Sequence, residues 1–334
     1  MGQSCISPVT VDAQPAAVGP LDDDRGAPGG PRMLVTGASG LLGATFCRIA
    51  NGRFRVSGCF RQHGLHLRGI ESFPVDLRVK AEAVQALERV QPETIVHFAA
   101  ATDVNHCEEH PREAEEINVQ VTENLAQWAA RQGVRFLLMS TDSVFDGRRG
   151  CYTELDEPNP INRYATTKLQ AEGIVRGMVA DHLIVRSNIY GWNAQAKSSL
   201  AEWILQRLET GVRIPGFADV IFAPLLVDTL AEIMLTLLGQ GKRGTYHAAS
   251  DGALSKYDFA LAIADTFHLS RELVDRVALA SVPMRAPRPL NTSLDCSKLQ
   301  LETGVAPPTV QEDLQRYKRL RDEGFAGRLK AACS

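Results

Sequence analysis

The chain has 334 residues, of which 44% are hydrophobic and 22% charged, and 36 Lys and Arg against 39 Asp and Glu leave a net charge of −3. That apolar content at that length buries a sizeable core, which excludes a chain disordered throughout, and the lack of any basic run excludes the usual nucleic-acid partner. No stretch approaches eighteen uninterrupted apolar residues, so no membrane partner is expected.

Residues 1 to 30, ending in DDDRGAPGGPR, are rich in Pro, Gly, Ala and Asp and carry no periodicity, which predicts a disordered N-terminal leader. From there strand-like and helical patterns alternate: MLVTG, a helix from Leu41, FRVSGCF, a helix near Ala81, TIVHFAA, a long helix around Asn118, and FLLMS. This alternation predicts the α/β class, a Rossmann doubly wound parallel sheet with helices on both faces. The NAD(P)-binding domain is placed at 31–190. Residues 191–325, punctuated at GVRIPGF and RAPRP, form mainly a smaller C-terminal α/β substrate lobe from which the chain returns to the sheet. The first thirty residues have no apolar signal core, and the seven cysteines (Cys5, Cys47, Cys59, Cys107, Cys151, Cys296, Cys333) include no C-x-x-C pair. The expectation is a cytoplasmic protein with reduced thiols.

In MLVTGASGLLG, Gly37, Gly40 and Gly43 follow a strand and open a helix. Such a turn brings backbone N–H groups and the positive end of the helix to a pyrophosphate. At the end of the second strand, where an acidic residue would bind the 2′-hydroxyl of NADH, the chain has Arg61. A guanidinium suits a 2′-phosphate, so NADPH is the expected cofactor and NADH remains open. Asp76, closing FPVDL, either meets the adenine edge or caps its own turn.

Tyr164 precedes Lys168 by one helical turn in INRYATTKLQAE. Next to a nicotinamide cofactor the phenol would be the proton donor, and the lysine would lower its pKa and hold the ribose. The strand end STDSVFDG offers two hydroxyls for the substrate oxygen, Ser140 and Thr141. His97 reads as strand packing and His106 as a surface loop residue.

TGASGLLG, HFAAATDV, STDSVFDG and YATTK together resemble the extended short-chain dehydrogenase/reductase family. The likeness runs from Met33 to about Tyr317 and is closest to dTDP-4-dehydrorhamnose reductases. The resemblance implies a catalytic triad of Thr141, Tyr164 and Lys168, with Thr141 taking the place three residues before the Val of VFDG. It implies a cofactor site that includes Leu42 in the glycine turn and Ala99, Ala100 and Ala101 at a strand end. Thr102 and Val104 fall near the sugar and Asn188 near a diphosphate, while Arg288 and Asn291 fall where the family binds the nucleotide diphosphate or shapes that pocket, Arg288 equally reading as a carboxylate partner that holds the loop. A Glu associated in some relatives with a magnesium-linked dimer is replaced by Thr45, so no metal is expected. The implied activity is reduction of a nucleotide-linked 4-keto-6-deoxy sugar, with a homodimer formed through the helices around Asn118 and Lys168. GTYHAASDGALSKYDFALAIADTF and RPLNTSLDCSKL also resemble the regulatory β subunit of methionine adenosyltransferase, which implies a non-catalytic NADP-binding alternative. HFAAATDV and the closing FAGRLKAACS speak for the enzymes.

Overall fold

The computed structural model describes residues 30–333; the leader predicted for 1–30, Gly30 apart, and Cys5 lie outside the described residues. Six strands build the first half: β1 (Arg32–Thr36), β2 (Arg55–Phe60), β3 (Glu71–Pro74), β4 (Thr94–His97), β5 (Arg135–Thr141) and β6 (His182–Tyr190). The second half adds β7 (Ile214–Phe217), β8 (Ile221–Phe222), β9 (Pro224–Leu226), β10 (Gly244–His247), β11 (Leu254–Ser255) and β12 (Val274–Val277).

The main sheet runs β3-β2-β1-β4-β5-β6-β10, every pair parallel, with β9 also pairing to the last residues of β6. Its central strands are apolar without alternation, and Met33–Val35, Ile95–Val96 and Phe136–Leu138 are fully buried. Such runs belong to a sheet covered on both faces. On one face the helices Lys80–Val90, Val121–Gln132 and Arg163–Met178 seal a cluster around Leu34, Ile95, Phe136 and Ile184. On the other, Leu41–Ala50 and Val227–Gly239 pack over Met33, Val96 and Leu183. Strand order reverses between β1 and β4, opening a crevice at the carboxyl ends where ligands of doubly wound sheets sit.

Beyond Tyr190 the chain makes two small sheets, β7 with β12 and β8 with β11, against the helices Leu200–Glu209 and Lys256–Thr266. Between β8 and β11 it returns twice to the main sheet, through β9 and β10. The final helix Phe325–Ala331 closes back on the first, with the Arg48 guanidinium 4.9 Å from the Phe325 ring. The second apolar cluster accordingly runs without a break from Met33 to Leu329.

Two expectations change. The long helix around Asn118 is interrupted: helices Val104–Glu109 and Pro111–Glu115 lead into a π-helical turn, Glu116–Gln120, before Val121–Gln132. Pro111 disfavours helical backbone at His110, and the wider turn carries Asn118 into the interior, where it is 1% exposed. Reduced thiols throughout is also corrected. Cys47, Cys59, Cys107, Cys296 and Cys333 are free, but Cys151 is disulfide-bonded. No helix among the described residues is long and apolar enough to cross a membrane.

Candidate active site

A cleft of about 810 Å³ opens over the carboxyl ends of β1, β2, β4, β5 and β6. Its floor is the glycine turn. Gly37 has φ +65°, and a Cβ there would stand 2.7 Å from Ala99 N; a Cβ on Gly43 would overlap Gly37 O. Only bare backbone lets the β1 turn, the first helix and the β4 end come this close. No side chain caps the helix at Gly40, so its first N–H groups are open to the cleft that Gly40, Leu42 and Gly43 line. A pyrophosphate is the complement of that surface.

Arg61 is exposed at one end of the cleft, and Asp76 and Arg78 line the same end. Asp76 resolves toward its own turn. It accepts the Arg78 backbone N–H at 3.1 Å and the Arg78 guanidinium at 2.5 Å, and these bonds, with Arg61 adding a smaller effect, hold its carboxyl below the usual range. Arg78, which the sequence reading passed over, thereby joins Arg61 as a second cation on the cleft; its signal was an arginine two residues beyond a turn aspartate.

Behind the floor runs a hydrogen-bonded chain. Thr36 Oγ1 accepts the N–H groups of Phe98 and Ala99 at 3.2 Å each and lies 2.7 Å from His97 Nδ1. His97 Nε2 lies 3.1 Å from Thr122 Oγ1, and Thr122 donates to Asn118 O at 2.7 Å. Since Thr122 gives its proton to Asn118, it receives one from Nε2–H, and Nδ1 accepts from Thr36. Burial, reinforced by the Lys168 charge, pushes His97 down to about 3, so it is neutral. The packing role expected of His97 holds. His106, expected in a surface loop, instead sits on the short helix Val104–Glu109, lines the cleft and meets Glu113 at 2.9 Å.

Asn118 itself joins the β4 end to the helix Arg163–Met178. It accepts Ala101 N–H at 2.8 Å, donates to Ala101 O at 3.1 Å and to Thr167 Oγ1 at 2.9 Å, and Thr167 donates on to Tyr164 O at 2.8 Å. Asn118 was named from sequence only as a place on a helix; nothing local marks a π-turn.

The helix Arg163–Met178 starts where Asn162 Oδ1 accepts Ala165 N–H at 2.9 Å, and its first two turns bring Tyr164 and Lys168 to the inner end of the cleft. Thr141 Oγ1 donates to Asp142 Oδ1 at 3.1 Å and also accepts Ser143 N–H. Ser140 is committed elsewhere: its hydroxyl donates at 2.5 Å to Glu172, a fully buried carboxylate held bidentately by Arg186 at 2.7 and 2.9 Å. That commitment separates the two candidate hydroxyls. Burial lowers Lys168 to about 8, against the opposing charge of Glu172 one turn on. The expectation that Lys168 depresses the Tyr164 pKa is corrected, because burial raises the phenol well above its ordinary value and the Thr141 hydrogen bond offsets only part of it.

Val104, Ser143 and Asn188 also line a second cavity of about 320 Å³, walled by the C-terminal half. Asn188 Nδ2 donates to the buried Asp142 at 2.9 Å, and Arg288, which lines this cavity, donates to Asn105 Oδ1 at 2.8 Å. Ala99, Ala100, Ala101 and Thr102 line the first cleft. Asn291 lines neither. Its carboxamide accepts the Ser293 hydroxyl at 2.8 Å and packs against Gly150, so it organises the 147–152 loop. A segment unmarked in the sequence, Gly191–Ser199, closes on itself through Ser199 Oγ to Gly191 O at 2.7 Å and reaches over the glycine turn, where Gln195 Nε2 donates to Ser39 O at 3.1 Å. Among the described residues there is no group of three or more His, Cys, Asp or Glu able to hold a metal.

Residues 31–321 match the family described as RmlD substrate binding domain. The chain is 32% identical over 292 residues to a probable low-salt glycan biosynthesis reductase, Agl14, of Haloferax volcanii, covering 84% of this chain and 95% of that one. It is also 32% identical over 279 residues to methionine adenosyltransferase 2 subunit beta of Rattus norvegicus, covering 80% and 81%. Among solved structures, dTDP-4-dehydrorhamnose reductase of Bacillus anthracis in complex with NADP superposes with a TM-score of 0.78 at 26% identity, covering 87% and 99%.

Proposed function

The chain belongs to the RmlD substrate binding domain family, and from that premise we propose that it is an NADPH-dependent oxidoreductase reducing a nucleotide-linked 4-keto-6-deoxy sugar. The observation that carries this reading is the convergence of Thr141, Tyr164 and Lys168 at the inner end of a cleft that begins at an uncapped glycine turn. The reductase of Haloferax volcanii and the NADP-bound reductase of Bacillus anthracis support the redox class and the NAD(P)H cofactor.

When bound, the cofactor supplies the hydride. The chain's own groups do the rest. Gly37, Gly40, Leu42 and Gly43 bind the pyrophosphate, Ala99 to Ala101 line the dinucleotide, and Arg61 with Arg78 favours a 2′-phosphate; NADH would use the same turn without that charge complement. Thr141 and Tyr164 hydroxyls hold the ketone oxygen. Tyr164 gives its phenolic proton to that oxygen, and the raised phenol pKa keeps the proton in place until the oxygen becomes basic. Lys168 holds the ribose and stabilises the phenolate that remains. Thr102 and Val104 border the sugar, while Asn188 and Arg288 lie on the side of the diphosphate. Residues 31–190 carry the cofactor and 191–325 mainly the substrate. We place the protein in the cytoplasm, as a homodimer formed through the outer faces of the helices near Asn118 and Lys168.

Purified protein given NADPH and dTDP-4-keto-6-deoxy-L-mannose should oxidise the nicotinamide, and Tyr164→Phe should lose activity by about 10²- to 10⁴-fold while binding NADPH as before. A second reading rests on the 32% identity to the β subunit: a non-catalytic NADP-binding regulatory subunit. NADPH binding without turnover on any keto sugar, together with a stable complex with a methionine adenosyltransferase catalytic subunit on size exclusion, would favour it.

A further inference from the structure

The second cavity has walls unlike those of the first. Most are apolar or aromatic, Trp203, Phe217, Val220 and Phe222 among them, and no carboxylate lines it, yet two cations do, Lys256 and Arg288. Arg288 has Asn105 as a partner. Lys256, the first residue of the helix Lys256–Thr266, has no hydrogen bond or ion pair from its ammonium among the described residues; what it touches is the Phe222 ring, 4.8 Å from Nζ. The opposite charge that acts on it is Asp142, and that carboxylate is already taken by the hydroxyls of Thr292 at 2.5 Å, Thr141 at 3.1 Å and Ser143 at 3.2 Å and by Asn188 at 2.9 Å. Burial and the like charge of Arg288 both work against the ammonium, Asp142 for it.

A cation held on an apolar wall without a partner is costly unless a ligand supplies the anion. We propose that Lys256 is the cation that anchors an anion in the second cavity, binding the diphosphate of a nucleoside diphosphate whose base lies against the aromatic wall, with Arg288 as the second cation. The proposal deepens the functional reading above and rests on it: Lys256 becomes the residue that makes binding depend on the diphosphate. The shared border at Val104, Ser143 and Asn188 then sets the diphosphate beside the sugar and the sugar beside Tyr164. Aromatic faces accept any flat base, so phosphate number should matter more than base identity.

The test is calorimetric titration of the full chain, saturated with NADPH, with dTDP, with UDP and with thymidine. Lys256→Met keeps the stem against Phe222 and removes the charge; Lys256→Arg restores it. Expected is a loss of about tenfold or more in dTDP affinity for the Met variant, an unchanged weak response to thymidine, and substantial recovery with Arg. Unchanged NADPH affinity shows that each variant is folded. If a variant does not fold, salt titration of the native protein decides: dTDP affinity that does not fall with salt overturns the anchor. Native protein that binds dTDP, with Lys256→Met binding it equally, overturns Lys256 as the anchor and leaves the nucleotide-sugar reading standing. Native protein that binds NADPH but neither dTDP nor UDP overturns both.

Discussion

The two cavities share a border yet are made differently. The first is built from strand ends and helix starts, and behind its floor Thr36, His97, Thr122 and Asn118 each hand on a hydrogen bond in a chain that fixes the backbone of residues 98–101. The second is built from side chains of segments far apart in the chain, from Val104 to Thr292, with an apolar wall and an ammonium that has no hydrogen bond or ion pair among the described residues. A site for a dinucleotide that must be held in one conformation is served by backbone held in one place. A site for a variable substrate is served by side chains on a scaffold that tolerates their exchange.

Four changes would sharpen or break that contrast, beginning with the largest. Gly43→Ala forces a methyl into Gly37 O, where only backbone can give way. It should destabilise the fold by about 1–3 kcal/mol in urea unfolding and abolish measurable NADPH binding. If NADPH binds normally, the backbone-built account of the first cleft fails. Next is pH. Lys168 in the free protein sits near 8, below the ordinary lysine value of 10.5, because burial disfavours its charge. The ammonium is therefore present below about 8 and lost above it, so kcat/KM should fall about tenfold per pH unit on the alkaline side, and Lys168→Arg should move that limb beyond the accessible range. The linkage for stability has the opposite sense. Between about 8 and 10.5 the unfolded chain holds the proton that the folded chain has released, so this residue adds stability as pH rises. Arg61→Ala should then weaken NADPH about tenfold and leave NADH unaltered, read by fluorescence titration; equal losses for both would remove Arg61 from the 2′-phosphate. Smallest is Asn291→Ala. With its side chain turned to Ser293 and the 147–152 loop, kcat/KM should stay within about twofold while the melting temperature falls, whereas a raised KM for the nucleotide sugar would return Asn291 to the site.

How far the sequence could be read follows the same division. The glycine turn, the strand pattern and the Tyr164–Lys168 spacing are local: each depends on residues within a few positions of one another, so periodicity and motif spacing expose them. Arg78 stands two residues from Asp76, a signal within one turn, but only the folded turn shows that the two pair at the edge of the cleft. Asn118 was misread as mid-helix because a π-turn leaves the apolar periodicity on either side intact. Ser140 and Thr141 were adjacent hydroxyls in the sequence. Glu172 and Arg186, from a helix and a neighbouring strand, drew Ser140 to one side and left Thr141 to the other.

The sequence by itself determined the parallel sheet, its order of strands and helices, the dinucleotide turn and the pairing of phenol with ammonium, since all of these are dictated by short-range sterics and by apolar periodicity. Only the tertiary structure decided that Glu172 engages Ser140 rather than Thr141, how Asn118 ties the β4 end to the helix that carries Tyr164 and Lys168, and that burial rather than Lys168 governs the phenol. It alone placed Lys256 on the wall of the second cavity, because desolvation and contacts between distant segments exist only once the chain has closed on itself.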